Sequence, residues 1–231
     1  MKVYYDLHIH SSLSPCAADE MTPLNIVAMA SVKGLQVIAV SDHNSIKNVE
    51  AAMECAKDFE IIVIPSMEVQ TSEDIHVLTL FEDFESLKTF NDALTKRQIE
   101  NKEHIFGRQL IIDADNNIVG KEKSFLMAGV EESIYTVVNK TNQLGGVAIP
   151  AHIDRTQNGI IAILADIPKD LDITAVELSK YAPDYIKDKY IRYNYIYNSD
   201  AHRLEDISEQ VNYIEIGQLN AKSFLLAIKG G

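Results

Sequence analysis

The sequence predicts an α/β barrel, βα units wound about a mostly parallel sheet, on three observations. Short apolar runs alternate along the chain with segments whose apolar residues recur at helical spacing, the pattern that βα units produce. Polar residues able to do chemistry follow the apolar runs directly, at the C-terminal strand ends where barrels carry their sites. One run, beginning at His76, carries its histidine at the opposite end. A local antiparallel return explains it and distorts the barrel.

The elements follow in order. Val3-Tyr4-Tyr5 is β-branched and aromatic and leads into Asp6-Leu7-His8-Ile9-His10. Period-two alternation puts His8 and His10 on one face, where they can grip one ion. Thr22 reads as an N-cap with Pro23 at the first helical position, Leu24, Val27, Ala28 and Val32 give a helical face, and Gly34 stops it. Residues 36–41 form a buried strand that delivers Asp42 and His43; Ser45 caps a second helix; and the run Ile61 to Ile64 starts a third strand that delivers Glu68. If residues 70–74 form a tight loop, the strand 76–81 returns antiparallel and His76 lands near Glu68. A helix through Phe84, Leu87, Phe90 and Leu94 comes next. The segment 104–124, with two short strands about an Asp/Asn turn, reads as an excursion from the barrel and a candidate lid. A helix from Ile134 to Leu144 precedes the strand 147–149 that delivers His152. Residues 160–167 give a helix, 173–178 a strand ending near Lys180, 195–197 a strand delivering Asp200 and His202, and 213–216 a last strand before a helix capped by Asn220. That makes eight candidate strands outside the excursion.

A chain of 231 residues suits one large domain, here 1–231. No stretch approaches the roughly 20 apolar residues of a membrane helix, and two cysteines, Cys16 and Cys55, argue for a reducing compartment. The expectation is a soluble cytoplasmic protein without a membrane partner. With 34 acidic against 21 basic residues, the formal charge of −13 disfavours long nucleic acid and leaves a small phosphorylated molecule as the expected partner.

Of seven histidines, all but His104 lie within two residues of a predicted strand end, as do Glu68 and Asp200. Imidazoles with carboxylates suit zinc, manganese or iron, and the absence of a Cys-x-x-Cys pair argues against a structural zinc finger. His8, His10, His43, His76, His152 and His202 with two carboxylates are too many ligands for one ion. Two or three divalent metals are implied. Arg155, Lys180 and Arg203 fall on the same predicted face as candidate phosphate donors, and Asp42 is placed to orient an imidazole or shuttle a proton. His104 reads as solvated, Arg108 as a candidate lid contact, and Cys55 as core. Six tyrosines between 181 and 197 fit either base stacking or packing.

The blocks Asp6-Leu-His-Ile-His10, Ser41-Asp-His43, Glu68 followed by His76, and Ala151-His152 with Ser199-Asp-Ala-His202 resemble, in matching order over residues 1 to about 205, the motifs of the PHP (polymerase and histidinol phosphatase) family. The resemblance implies a distorted (β/α)7 TIM-like barrel, a trinuclear metal centre and hydrolysis of phosphoesters. By position it implies one ion on His8, His10, Glu68 and Asp200, a second on Glu68, His76 and His152, and a third on His43 and His202. The family's further His or Asp ligand falls where this chain has Cys16, whose thiolate would bind zinc or iron. The expected function is thus a metal-dependent phosphoesterase acting on a small phosphorylated metabolite, nucleotide or short oligonucleotide end through a metal-bridging hydroxide, with Asp42, Asp200, His202 and Arg155 as catalytic groups. The alternatives are an amidohydrolase acting on C–N bonds, whose barrels also begin with His-x-His, and a metal-binding regulatory module without turnover.

Overall fold

The computed structural model describes residues 1–230, and its order of elements is mixed α/β. Strand β1 (Lys2–Ile9) is buried on both faces beyond Tyr4. It pairs parallel with β2 (Val37–Val40), which pairs parallel with β3 (Ile62–Val63). Between β1 and β2, the helix α1 (Pro23–Val32) opens as its cap predicts: the Thr22 hydroxyl accepts from the Asn25 N–H at 3.3 Å, and Gly34 turns the chain at φ +73°.

Two expectations shift by a few residues for identifiable reasons. The third predicted strand splits into β3 and β4 (Ser66–Gln70) around Pro65, which has no N–H to give to a ladder. The helix α2 (Val49–Ala56) starts after Asn48, not Ser45, and Asn48 does not cap it. Its side chain donates to the Leu110 carbonyl at 3.1 Å and accepts from the Ile112 N–H at 3.0 Å, tying the helix to the excursion.

The return at His76 is present. Strand β5 (His76–Leu80) runs antiparallel to β4, with Gln70 opposite His76, and then antiparallel to β8 (Val147–Pro150). Strands β9 (Ala175–Glu177) and β10 (Asn194–Ile196) form a parallel pair, and β11 (Tyr213–Glu215) runs antiparallel along β1. The excursion is a hairpin of β6 (Leu110–Ile112) and β7 (Ile118–Lys121).

The ladders fall into four separate sheets and do not close into the expected (β/α)7 barrel among the described residues. Several strands span only two or three residues, β5 opposes both neighbours, and the β1–β2 register shifts between Asp6 and Ile9. Isolated bridges, Ile9 with Ala201 and His43 with Glu68, join the sheets where the histidines gather. Beneath lies an apolar floor of Val3, Leu7, Ala39, Leu78, Ile149 and Ala175, closed by Phe224 and Ile228 of the last helix, Ala221–Ile228, which Asn220 caps as predicted.

Candidate metal centre

The Glu68 carboxylate is the hub. It is fully buried, and five imidazole nitrogens face its two oxygens: His43 Nδ1 and His76 Nδ1 at 2.9 Å, His8 Nε2 at 3.2 Å, and His10 Nε2 and His152 Nε2 at 3.4 Å. These contacts are too poorly aligned to count as hydrogen bonds, so both Glu68 oxygens and His43 Nδ1 are buried without partners, as are His76 Nε2 and His152 Nδ1. Orphaned buried polar atoms are rare in folded proteins. A ring of lone pairs around one carboxylate is the arrangement divalent cations would satisfy, and the His/carboxylate donor set fits zinc, manganese or iron.

Three groups have ligand atoms close enough to share an ion: His8, His10 and Asp200; His43, Glu68 and His76; and His10, Cys16, His43 and His202. His8, in β1, and His10, one residue past its end, bring their Nε2 atoms within 3.2 Å. The β4–β5 hairpin sets His76 against Glu68, and the bridge from His43 to Glu68 fixes the third wall. His152 and Asp200 follow β8 and β10 in left-handed backbone, φ +31° and +53°, which only strong surrounding constraint sustains in non-glycine residues. Asp6, buried, accepts from the Ser199 and Ser208 N–H groups at 3.1 and 2.9 Å, fastening the loop that carries Asp200 and His202 to β1.

Behind the ligands stands an outer ring that pattern reading of the sequence missed. Glu177 accepts from His8 Nδ1 at 2.9 Å and from Asn198, which fixes the ring so that Nε2 faces inward. Its one signal was a carboxylate inside the apolar run Val176-Glu177-Leu178. The Ser14 hydroxyl donates to Asp42 at 2.7 Å and accepts from His10 Nδ1 at 3.1 Å, so it sets a tautomer. Asp42 is fully buried, with donors Ser11 N–H, Ser11 Oγ and Ser14 Oγ on its oxygens. It stands behind His10 rather than in the cavity, which favours orienting over shuttling a proton to substrate. His202 Nδ1 donates to the Asp200 carbonyl at 2.9 Å.

Burial alone would push the His8 imidazole down, but Glu177, Asp200 and Glu68 hold it well above the usual range. Burial, reinforced by His43, pushes His10 down to about 3. Burial opposes ionisation of Glu68 and Asp200 as well; His76, His8 and His43 hold Glu68 far below the usual range, and His8 and His10 do the same for Asp200. Cys16 is exposed at the rim, where hydrogen bonds to His202 and His43 outweigh desolvation and lower its thiol to about 7.

The centre opens into a cavity of about 240 Å³ that also takes in Met127, Arg155 and Asn158. Arg155 pairs with Asp200 at its mouth. Lys180 and Arg203 lie further out, both exposed, Lys180 on a cleft that shares Arg155 and Asp200 with the cavity. His104 is exposed, Cys55 is buried, and Arg108 pairs with Asp19. The excursion reaches the rim from behind: Gly107, at φ +99°, backs onto the Pro15 carbonyl so closely that a Cβ there would sit 2.3 Å from its oxygen.

A family model described as the PHP domain matches residues 6–123. An uncharacterized protein of Methanocaldococcus jannaschii is 35% identical over 89 residues, 34% of this chain and 51% of that protein. A 5'-3' exoribonuclease of Haemophilus influenzae is 33% identical over 79 residues, 33% of this chain and 28% of that enzyme. Among solved structures, the lesion-specific Endonuclease Q of Pyrococcus furiosus matches all of this chain and 56% of its own, with TM-score 0.71 at 21% identity. Endonuclease Q in complex with a 27-mer duplex carrying an abasic lesion at the active site gives TM-score 0.72 at 19% identity, over 100% and 57% of the two chains. A protein of Bifidobacterium adolescentis named as a metal-dependent phosphoesterase gives TM-score 0.61 at 17% identity, over 86% and 87%. The chain thus spans about half the length of the Methanocaldococcus relative and of Endonuclease Q.

The expectation of a small phosphorylated partner, with long nucleic acid disfavoured, is overturned by this comparison: the same fold in Endonuclease Q carries a DNA duplex at its active site. The formal charge of −13 sums the whole surface, and a summed charge does not give the field at one face. Among the described residues, no helix is long and apolar enough to cross a membrane.

Proposed function

This chain belongs to the PHP domain family, and from that premise we propose that it is a metal-dependent hydrolase cleaving phosphodiester bonds of nucleic acid at the centre around Glu68. The observation that carries the reading is the buried Glu68 carboxylate, unpartnered and faced by five imidazole nitrogens. His8, His10, Glu68, His76, His152 and Asp200, with Cys16, His43 and His202 at the rim, would hold two or three divalent ions, which would supply Lewis acidity toward phosphoryl oxygens and a water that ionises near neutral pH.

The chain's own residues prepare that chemistry. Glu177 and Ser14 hold His8 and His10 in the tautomer that presents Nε2 inward. Arg155, beside Asp200 at the cavity mouth, offers a planar fork to two phosphate oxygens. Lys180, on the cleft that shares Arg155 and Asp200 with the cavity, adds positive charge along the approach. The exoribonuclease and Endonuclease Q support nucleic acid as the phosphoester.

The test is incubation of manganese- or zinc-loaded protein with end-labelled single- and double-stranded DNA and RNA, with and without an abasic site. Shortened products that disappear with chelator and in His8→Ala are expected. Protein carrying two or three metal equivalents that leaves every one of these substrates intact would overturn the reading.

A further inference from the structure

The six tyrosines between 181 and 197 do not behave alike. Tyr190 and Tyr193 are buried, Tyr195 donates its hydroxyl to the Lys187 carbonyl, and Tyr197 is half-buried; packing accounts for all four. Tyr185 is 68% exposed on the short helix Asp184–Lys189, and Tyr181 is 80% exposed. Tyr181 does not hang on a loose loop. Its N–H donates to the Ser179 hydroxyl at 3.2 Å, and Ser179 is fastened to Asp154 through its N–H at 2.8 Å and its hydroxyl at 2.5 Å. A large aromatic ring is therefore presented to solvent by an anchored turn, with Lys180 Nζ 5.0 Å from its centroid.

Tyr181, Lys180 and Lys187 are among the residues lining a cleft of about 1050 Å³. Arg155 and Asp200 belong both to this cleft and to the metal cavity, so the two are continuous. Lys180 makes no ion pair among the described residues, whereas Lys187 pairs with the exposed Asp184 at 3.3 Å. Glu205, Asp206 and Glu209 also line the cleft, Glu209 paired with Lys33 at 3.1 Å.

We propose that this cleft is the path of a single strand of nucleic acid leaving the metal centre, with Tyr181 as the platform for one unpaired base and Lys180 and Lys187 following its phosphates. The inference rests on the phosphodiester reading above and adds the strandedness and direction of the bound segment. Every base has a π face, so a tyrosine platform is tolerant of sequence, and stacking on it requires a base already out of a helix. A duplex reaches Tyr181 only by fraying an end or extruding a nucleotide.

The experiment is fluorescence anisotropy of the metal-loaded protein with a cleavage-resistant phosphorothioate strand of about ten nucleotides, within the ~4–16 that such grooves cover. Tyr181→Ala should weaken binding about tenfold, while Tyr181→Phe and Tyr181→Trp stay near the wild-type affinity. Lys180→Ala should flatten the plot of log affinity against log salt by about 0.7. Wild-type affinity in Tyr181→Ala, or a Phe variant as weak as the Ala variant, overturns the proposal. Cleavage of the corresponding phosphodiester strand by the wild-type protein is followed in parallel. Cleavage together with a silent Tyr181→Ala refutes the cleft and leaves the function standing; Tyr181-dependent binding supports the cleft, and the function falls only if the whole substrate panel above is also left intact.

Discussion

The two sides of the metal centre are built differently. On the β1 side, His8 and His10 are fully buried, and each Nδ1 is occupied by a buried partner, Glu177 or the Ser14 hydroxyl that is itself held by Asp42. At the rim, Cys16 is exposed, and His202 is half-exposed and steadied by a backbone carbonyl two residues before it. The inner ligands are pre-organised by side chains from distant parts of the chain, so their geometry is set by the fold. The outer residues depend on a loop and on their own protonation, so any metal held there would respond to metal type and pH.

The contrast can be broken hardest at its hub. Glu68→Gln keeps the shape but removes the charge that all five imidazoles face. Hydrolysis should fall on the order of 10³-fold, about 4 kcal/mol of transition-state stabilisation. Elemental analysis should show loss of inner metal; a variant that retains full metal and activity would remove Glu68 from the centre.

A change behind the inner ligands sharpens the comparison. Glu177→Gln leaves the cavity lining intact but weakens the acceptor on His8 Nδ1, and metal affinity or activity should drop about 10–100-fold, recoverable in part at high metal concentration. Chelator competition measures this directly.

The smallest effect belongs to the rim. Cys16→Ser should remove the least tightly held metal equivalent and leave the inner ions in place, costing severalfold in activity. In metal-free protein the thiol titrates at about 7. The thiolate is the ligand and the nucleophile, so rim zinc affinity and iodoacetamide labelling should both rise as pH climbs through 7 and fall below it. Zinc should protect Cys16 from labelling. A labelling midpoint near the ordinary thiol value would place Cys16 away from His43 and His202.

Local pattern made much of the centre legible. The period of two placed His8 with His10, and a histidine at the wrong end of its run announced the β4–β5 return that brings His76 to Glu68. Thr22 and Asn220 named their caps because the interaction spans three residues. Contacts formed only by the folded chain could not be read this way. Glu177 lies 169 residues from His8, and Asn48 ignores its helix for a hairpin 62 residues on. The open ladders reflect strand lengths that periodicity does not fix to a residue. The tyrosines were ambiguous because exposure, which separates Tyr181 from Tyr190, is a property of neighbours. The partner was misjudged because a summed charge carries no map.

The close approach of Gly107 to Pro15 makes the excursion an anvil under the thiol. One added methyl at Gly107 has nowhere to go but into the carbonyl that precedes Cys16, so its thrust arrives one residue from the outermost ligand. A substitution at Gly107, outside the ligand set, would therefore retune how firmly an ion at Cys16 is gripped while the inner ligands are left untouched.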